Sequence, residues 1–126
     1  MSLRHLSDEI ILVTAPKEPL LCQKLMQINE VLISGNADSD VIIDFAQVKL
    51  ITSASLSNLI LLHKSLAEKN KRLILCNLAF ESKCIIRTAG LHNLFHIVPN
   101  IKNAVEQLPH KVVSDSDQPE AGTDAA

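Results

Sequence analysis

The stretch from Val41 to Leu66, VIIDFAQVKLITSASLSNLILLHKSL, narrows the fold more than any other part of the chain. It opens with Val41-Ile42-Ile43, a continuous β-branched run that marks a strand covered on both faces. Asp44 follows, then a short turn, and then a second brief apolar run from Val48 to Ile51 that reads as another short strand. The hydroxyl cluster Thr52-Ser53-Ala54-Ser55 comes next, and a helix is expected from near Ser53 to about Asn70. Leu56, Leu59, Ile60, His63, Leu66 and Ala67 form one stripe at helical spacing, and Leu61 falls on the opposite side among Ser57, Lys64, Ser65 and Glu68. This order puts several hydroxyls at a helix start, where free N–H groups and the positive dipole end favour negative charge. A serine there can carry a phosphate that the fold tolerates and a partner can see.

The flanking segments complete an alternating pattern. Ser2 to Leu6 reads as a short edge strand, Ser7-Asp8-Glu9 as a turn and Ile10 to Ala15 as a second strand, which together make a hairpin. Pro16 and Pro19 end it. From Pro19 onward Leu21, Leu25, Ile28, Leu32 and Met26 recur at helical intervals, Gly35-Asn36 supplies a stop, and loop chemistry runs through Asp40. After a turn at Asn70-Lys71, Arg72 to Asn77 (RLILCN) is another inner strand. Phe80 to Ala89 is helical, with Ser82, Ile85, Ile86 and Ala89 spaced to face inward; Gly90 is a left-handed C-cap onto which Leu91 can fold. Phe95 to Val98 reads as a final strand and Ile101 to Leu108 as a last short helix. The resulting order, ββ-α-β-α-β-α-β-α, implies one α/β domain over residues 1–108. Its central sheet is mostly parallel, with an N-terminal antiparallel hairpin and about four helices. Residues 109–126, small, polar and acidic, are expected to form a disordered tail.

Composition removes several functions. The chain has 126 residues, of which 47% are apolar, enough for one core. Trp and Tyr are absent and Phe occurs three times, which argues against a sugar platform or a base-stacking surface. The net charge is −2 and Lys71-Arg72 is no basic run, so nucleic-acid binding is not expected. No apolar stretch has the length of a membrane span and MSLRHLSDEI is too polar for a secretory signal, so the expected location is cytoplasmic, without membrane insertion. Cys22, Cys76 and Cys84 show no CxxC spacing and read as small core residues. The five His lack ligand spacing, the three Gly form no phosphate loop, and no GxSxG elbow surrounds a serine. No metal, no cofactor and no catalytic residues are expected, and the chain reads as a non-enzyme.

The residues from Val41 onward resemble the STAS domain of bacterial anti-sigma factor antagonists. The family pattern is a strand ending in Asp, then Asp-Ser-Ser/Thr-Gly-Leu at the head of a helix. Here the strand aspartate is Asp44 and the later motif reads Thr52-Ser53-Ala54-Ser55-Leu56, with Thr52 in place of Asp and Ser55 in place of Gly. The likeness runs on through RLILCNL and IIRTAGLHNLFHIVPNIKNAVEQL and covers about residues 2 to 108. It implies a partner-switching regulator. A serine kinase, itself the anti-sigma factor, phosphorylates the first serine of the motif, which is Ser53 here; an opposing phosphatase restores it. The partner-binding set expected around it is Thr52, Ser53, Ala54, Ser55, Leu56, Asn58 and Leu61, the last as the apolar outlier on the outer side of the same helix, with Asp44 and Gly90 as supporting residues. The alternative that the replaced Asp and Gly leave open is a phosphorylation-independent STAS subunit of a larger complex, such as a lipid-transport ABC ATPase assembly. The bland reading of the same hydroxyls is that they are helix caps.

Overall fold

The computed structural model describes residues 2–34 and 39–108. A hairpin of β1 (Ser2–Ser7) and β2 (Ile10–Thr14) opens the chain. It is followed by α1 (Leu20–Ser34), β3 (Asp40–Asp44), α2 (Ser53–Glu68), β4 (Leu73–Cys76), α3 (Phe80–Thr88), β5 (His96–Val98) and α4 (Ile101–Glu106). The sheet order is β1-β2-β3-β4-β5, with β1 antiparallel to β2 and the other pairs parallel. This is the mixed α/β sheet with an antiparallel hairpin that the sequence predicts.

The strand order steps in one direction, and crossovers between parallel strands are as a rule right-handed. Together these put α1, α2 and α3 on the same face. The side chains follow the two-residue strand period. Val13, Val41, Ile43, Leu73 and Leu75 pack into the core with Leu21, Leu25, Leu59, Leu62 and Ile86 of the three crossover helices. Their neighbours Leu12, Ile42, Ile74 and Cys76 point the other way, where Ala104 and Leu108 cover them. On that side one short helix packs against β3, β4 and β5.

Two helix ends show why the chain turns where it does. Gly90 has φ +77°, Gly90 N–H donates to Arg87 O, and Leu91 N–H donates to Ile86 O at 2.9 Å. Asn70, at φ 60°, ends α2 in the same way, with Lys71 N–H on Leu66 O. Both are left-handed caps that satisfy the last carbonyls.

Several expectations need correction. Val48 to Ile51 is not a strand: β2 and β4 already take both edges of β3, so the run cannot pair with the strand it follows. Val48 and Ile51 instead plug the core from a loop, while Leu50 is 55% exposed. Asp40 begins β3 rather than ending a loop; its buried carboxylate accepts the Arg72 N–H at 2.7 Å. On α1, Met26 is 51% exposed. On α2, Ala67 faces solvent and Leu62 takes the inward place. Ala89 is exposed because it is the cap of α3, past the last turn that packs. Cys76 is a core residue, but Cys22 is only half-buried and Cys84 lies on the outer side of α3. His63 is half-buried, edge-on to Phe95 at 6.2 Å. The expected stop at Gly35-Asn36 and the expected tail at 109–126 lie outside the described residues.

Candidate functional site

The loops that follow β2, β3 and β4 all emerge at one end of the sheet, and the start of α2 sits among them. Thr52 is extended, at φ −79° and ψ 162°, and caps this helix. Its Oγ1 accepts the Ser55 N–H at 3.2 Å, and its carbonyl accepts the Leu56 N–H at 2.9 Å, which begins the helical ladder. The cap is itself held from a distance. Glu18, in the β2–α1 loop, accepts with Oε2 from both the Thr52 N–H at 2.9 Å and the Thr52 hydroxyl at 3.0 Å. A carboxylate from elsewhere in the chain thus stands at the positive end of α2.

Ser53 is the first residue of α2. It is exposed, and its hydroxyl makes no hydrogen bond among the described residues. Ala54 is exposed beside it. Ser55 and Leu56, expected on a contact surface, face inward: Ser55 is 0% exposed and Leu56 7%. The reason is the helical period, which brings the third and fourth residues of α2 round onto the core that Leu59 and Leu62 also face. The Ser55 Oγ has no hydrogen-bond partner among the described residues. Asn58 is half-buried and engaged: its Nδ2 donates to Ala54 O at 3.0 Å, and its carbonyl accepts from Asn29 Nδ2 at 3.0 Å. It seals the seam between α1 and α2. Leu61 is 51% exposed, two turns along from Ser53.

Asp44 ties the loops of this end together. Its Oδ1 accepts from Ala46 N–H at 3.0 Å, at the head of the β3–α2 loop, and from Asn77 Nδ2 at 2.9 Å, at the head of the β4–α3 loop. Asn77 takes φ 57° to reach it. The neighbouring Cys76 thiol is pushed up to about 12, first by burial and then by the Asp44 carboxylate, so it stays protonated and inert. Gly90 lies on α3's far end and serves the fold.

The structure adds residues that the sequence did not single out. Leu20 follows the Glu18 loop and is 53% exposed; Leu50 precedes Thr52; Phe80 begins α3 and is 76% exposed. Ser82 Oγ donates to Lys49 O at 3.1 Å, which holds the Leu50 loop against the start of α3. These apolar side chains give the Ser53 end a surface that a protein partner can cover. Glu18 carries no local sequence signal, since it acts on a residue 34 positions away.

Elsewhere, an apolar cleft of about 210 Å³ opens between β1, β2 and α1, lined by Leu3, Val13, Ile28, Val31 and others, with Gln27 as its polar member. Among the described residues no group of His, Cys, Asp or Glu is arranged to hold a metal ion, and no helix is long and apolar enough to cross a membrane.

Comparison with known proteins points one way. The family model for the STAS domain matches residues 5–104. Among solved structures, the unphosphorylated form of the anti-sigma factor antagonist SpoIIAA aligns over 84% of this chain and 93% of its own, with 15% identity and a TM-score of 0.69. An anti-sigma-factor antagonist (STAS) domain protein of Planctomyces limnophilus aligns over 82% and 92%, with 14% identity and a TM-score of 0.69. A candidate anti-sigma factor antagonist of Thermotoga maritima aligns over 86% and 94%, with 12% identity and a TM-score of 0.69. No curated protein sequence matches the chain.

Proposed function

The chain belongs to the STAS domain family, and from that premise we propose that it is a non-enzymatic, partner-switching protein of the anti-sigma factor antagonist type, controlled by phosphorylation of Ser53. The observation that carries this reading is the exposed Ser53 hydroxyl, which has no hydrogen-bond partner among the described residues and heads a sixteen-residue helix. The partner is a serine kinase that doubles as the anti-sigma factor, opposed by a phosphatase. In the kinase, Ser53 Oγ bonds to the terminal phosphorus of a nucleoside triphosphate. The bond to the bridging oxygen breaks, the nucleoside diphosphate leaves, and the hydroxyl proton passes to a base of the kinase.

The switch is electrostatic. Phosphate adds about 1.5 to 2 negative charges and strong acceptor oxygens at a helix start that tolerates them. On a docking face it adds bulk and a desolvation cost, so binding changes while the fold persists. The contact surface is built from Thr52, Ser53 and Ala54, with Leu20, Leu50 and Phe80 around them and Leu61 further along α2. Ser55, Leu56 and Asn58 support it from within.

Pull-down of the partner with Ser53→Ala and Ser53→Asp variants tests the reading. Ser53→Ala is expected to hold the partner and to lose phosphate by intact mass. Ser53→Asp is expected to weaken binding at least about tenfold, which is about 1.4 kcal/mol. Equal binding by both variants overturns the switch. A second reading, a phosphorylation-independent subunit of a larger assembly such as a lipid-transport ABC ATPase, is favoured by one observation. The positive end of α2 already holds the Glu18 carboxylate. Co-purification with an ATPase and no phosphorylated form would establish that alternative.

A further inference from the structure

We propose that Glu18 senses the chemical state of residue 53: phosphate on Ser53 displaces the Glu18 carboxylate from Thr52 and frees the loop that enters α1. The inference rests on the reading of Ser53 as the modified residue.

The first turn of α2 offers one positive pole. The N–H groups of Ser53 and Ala54 have no acceptor among the described residues, whereas the Ser55 N–H is capped by Thr52. One anion already serves that pole, because Glu18 Oε2 takes both donors of Thr52. Its hold is incomplete. Among the described residues Glu18 Oε1 is buried without a partner, and so is the hydroxyl of the wholly enclosed Ser55 in the first turn of α2. A desolvated carboxylate oxygen with no donor is costly, and the bonds to Thr52 are what keep it there.

Phosphate on Ser53 brings a second anion to the residue next to Thr52. Its oxygens can take the free Ala54 N–H and the helix dipole, which the carboxylate now shares. Two like charges at one pole repel, and the singly charged, half-buried Glu18 is the one with somewhere to go. Release hydrates both of its oxygens and removes the orphan at Oε1. Leu20 lies two residues beyond Glu18 and is 53% exposed, so the movement redraws the apolar surface beside Ser53. The phosphate then acts on a partner twice, by its own charge and by displacing the loop that frames it.

Phosphoserine placed at position 53 during translation, in the full chain, gives the test. The reading is amide hydrogen exchange at Thr52 by NMR, with and without phosphate, in the natural sequence and in Glu18→Gln. In the natural sequence the Thr52 N–H is expected to exchange at least about tenfold faster with phosphate, as loss of a charge-assisted bond requires. Leu62 and Leu66 keep their protection. The Glu18→Gln variant keeps an acceptor but no charge, so phosphate is expected to leave its Thr52 exchange unchanged within about twofold. Unchanged exchange in the natural sequence overturns the proposal, and so does equal acceleration in Glu18→Gln. No kinase takes part, so these outcomes are separate from the partner experiment. Glu18 release without any partner discrimination overturns the switching function alone.

Discussion

The starts of α2 and α3 lie at the same end of the sheet, one strand apart, and they are built by different means. α2 has a side-chain cap in Thr52, backed by Glu18 from 34 residues away. α3 begins at Ala79 with no side-chain cap and a first residue, Phe80, that is 76% exposed. The third residue of each helix is a wholly buried serine. Ser82 of α3 donates to Lys49 O, whereas the Ser55 hydroxyl of α2 has no partner among the described residues. At α3 a polar atom fastens two loops and is fully used. At α2 more polar atoms are brought together than the cap needs, and some are left unmet. Departures of this kind from local consistency concentrate where a protein does its work.

Removing the cap should break the contrast most strongly. Thr52→Ala deletes it and takes one donor from a half-buried carboxylate, so a stability loss of about 2 kcal/mol is expected by urea unfolding. Thr52→Ser should retain most of it.

Both starts rest on Asp44, and alkali tests that shared floor through the adjacent Cys76. The folded thiol titrates near 12 against 9.0 for a free one. A raised folded value means stability that is complete below the unfolded value and is lost as pH climbs from 9 toward 12. Between pH 9 and 10 the loss should be about 1 kcal/mol, and Cys76→Ala should flatten it.

The two serines sharpen the comparison by sign. Ser82→Ala should cost about 1 kcal/mol. Ser55→Ala should cost nothing or stabilise slightly, because it removes an unpaired buried hydroxyl. A similar loss at both sites would mean that the Ser55 oxygen has a partner after all. Last and smallest, Ala79→Asp gives α3 the cap it lacks, for a gain of about 0.5 to 1 kcal/mol in the thermal midpoint expressed as free energy.

Much of the architecture was legible because the strands are buried on both faces. Val41-Ile42-Ile43 and Leu73-Ile74-Leu75-Cys76 are continuous apolar runs, and the Gly90-Leu91 cap has a local cause. Where the reading failed, a local pattern met a global limit. Val48 to Ile51 has strand-like composition, but β3, the strand it follows, is already paired on both sides. Leu59-Ile60-Leu61-Leu62 is apolar throughout, so periodicity could not choose Leu62 over Ala67 as the inward residue. At the site, Ser53 and Thr52 were visible as a hydroxyl cluster at a helix start. Ser55 was grouped with its exposed neighbours because motif adjacency was read as shared exposure, whereas Leu56 faces the core as its place on the helical stripe predicts. Glu18 was invisible: its role exists only once the β2–α1 loop and the β3–α2 loop are neighbours.

The stepwise strand order carries a consequence for how the molecule is made. Each strand pairs with the one synthesised just before it, so every ladder can close as soon as its second partner leaves the ribosome. The side covered by Ala104 and Leu108 is the exception. It must wait for α4 and Leu108, and a nascent chain halted before them presents a bare aliphatic wall to any chaperone at the exit tunnel.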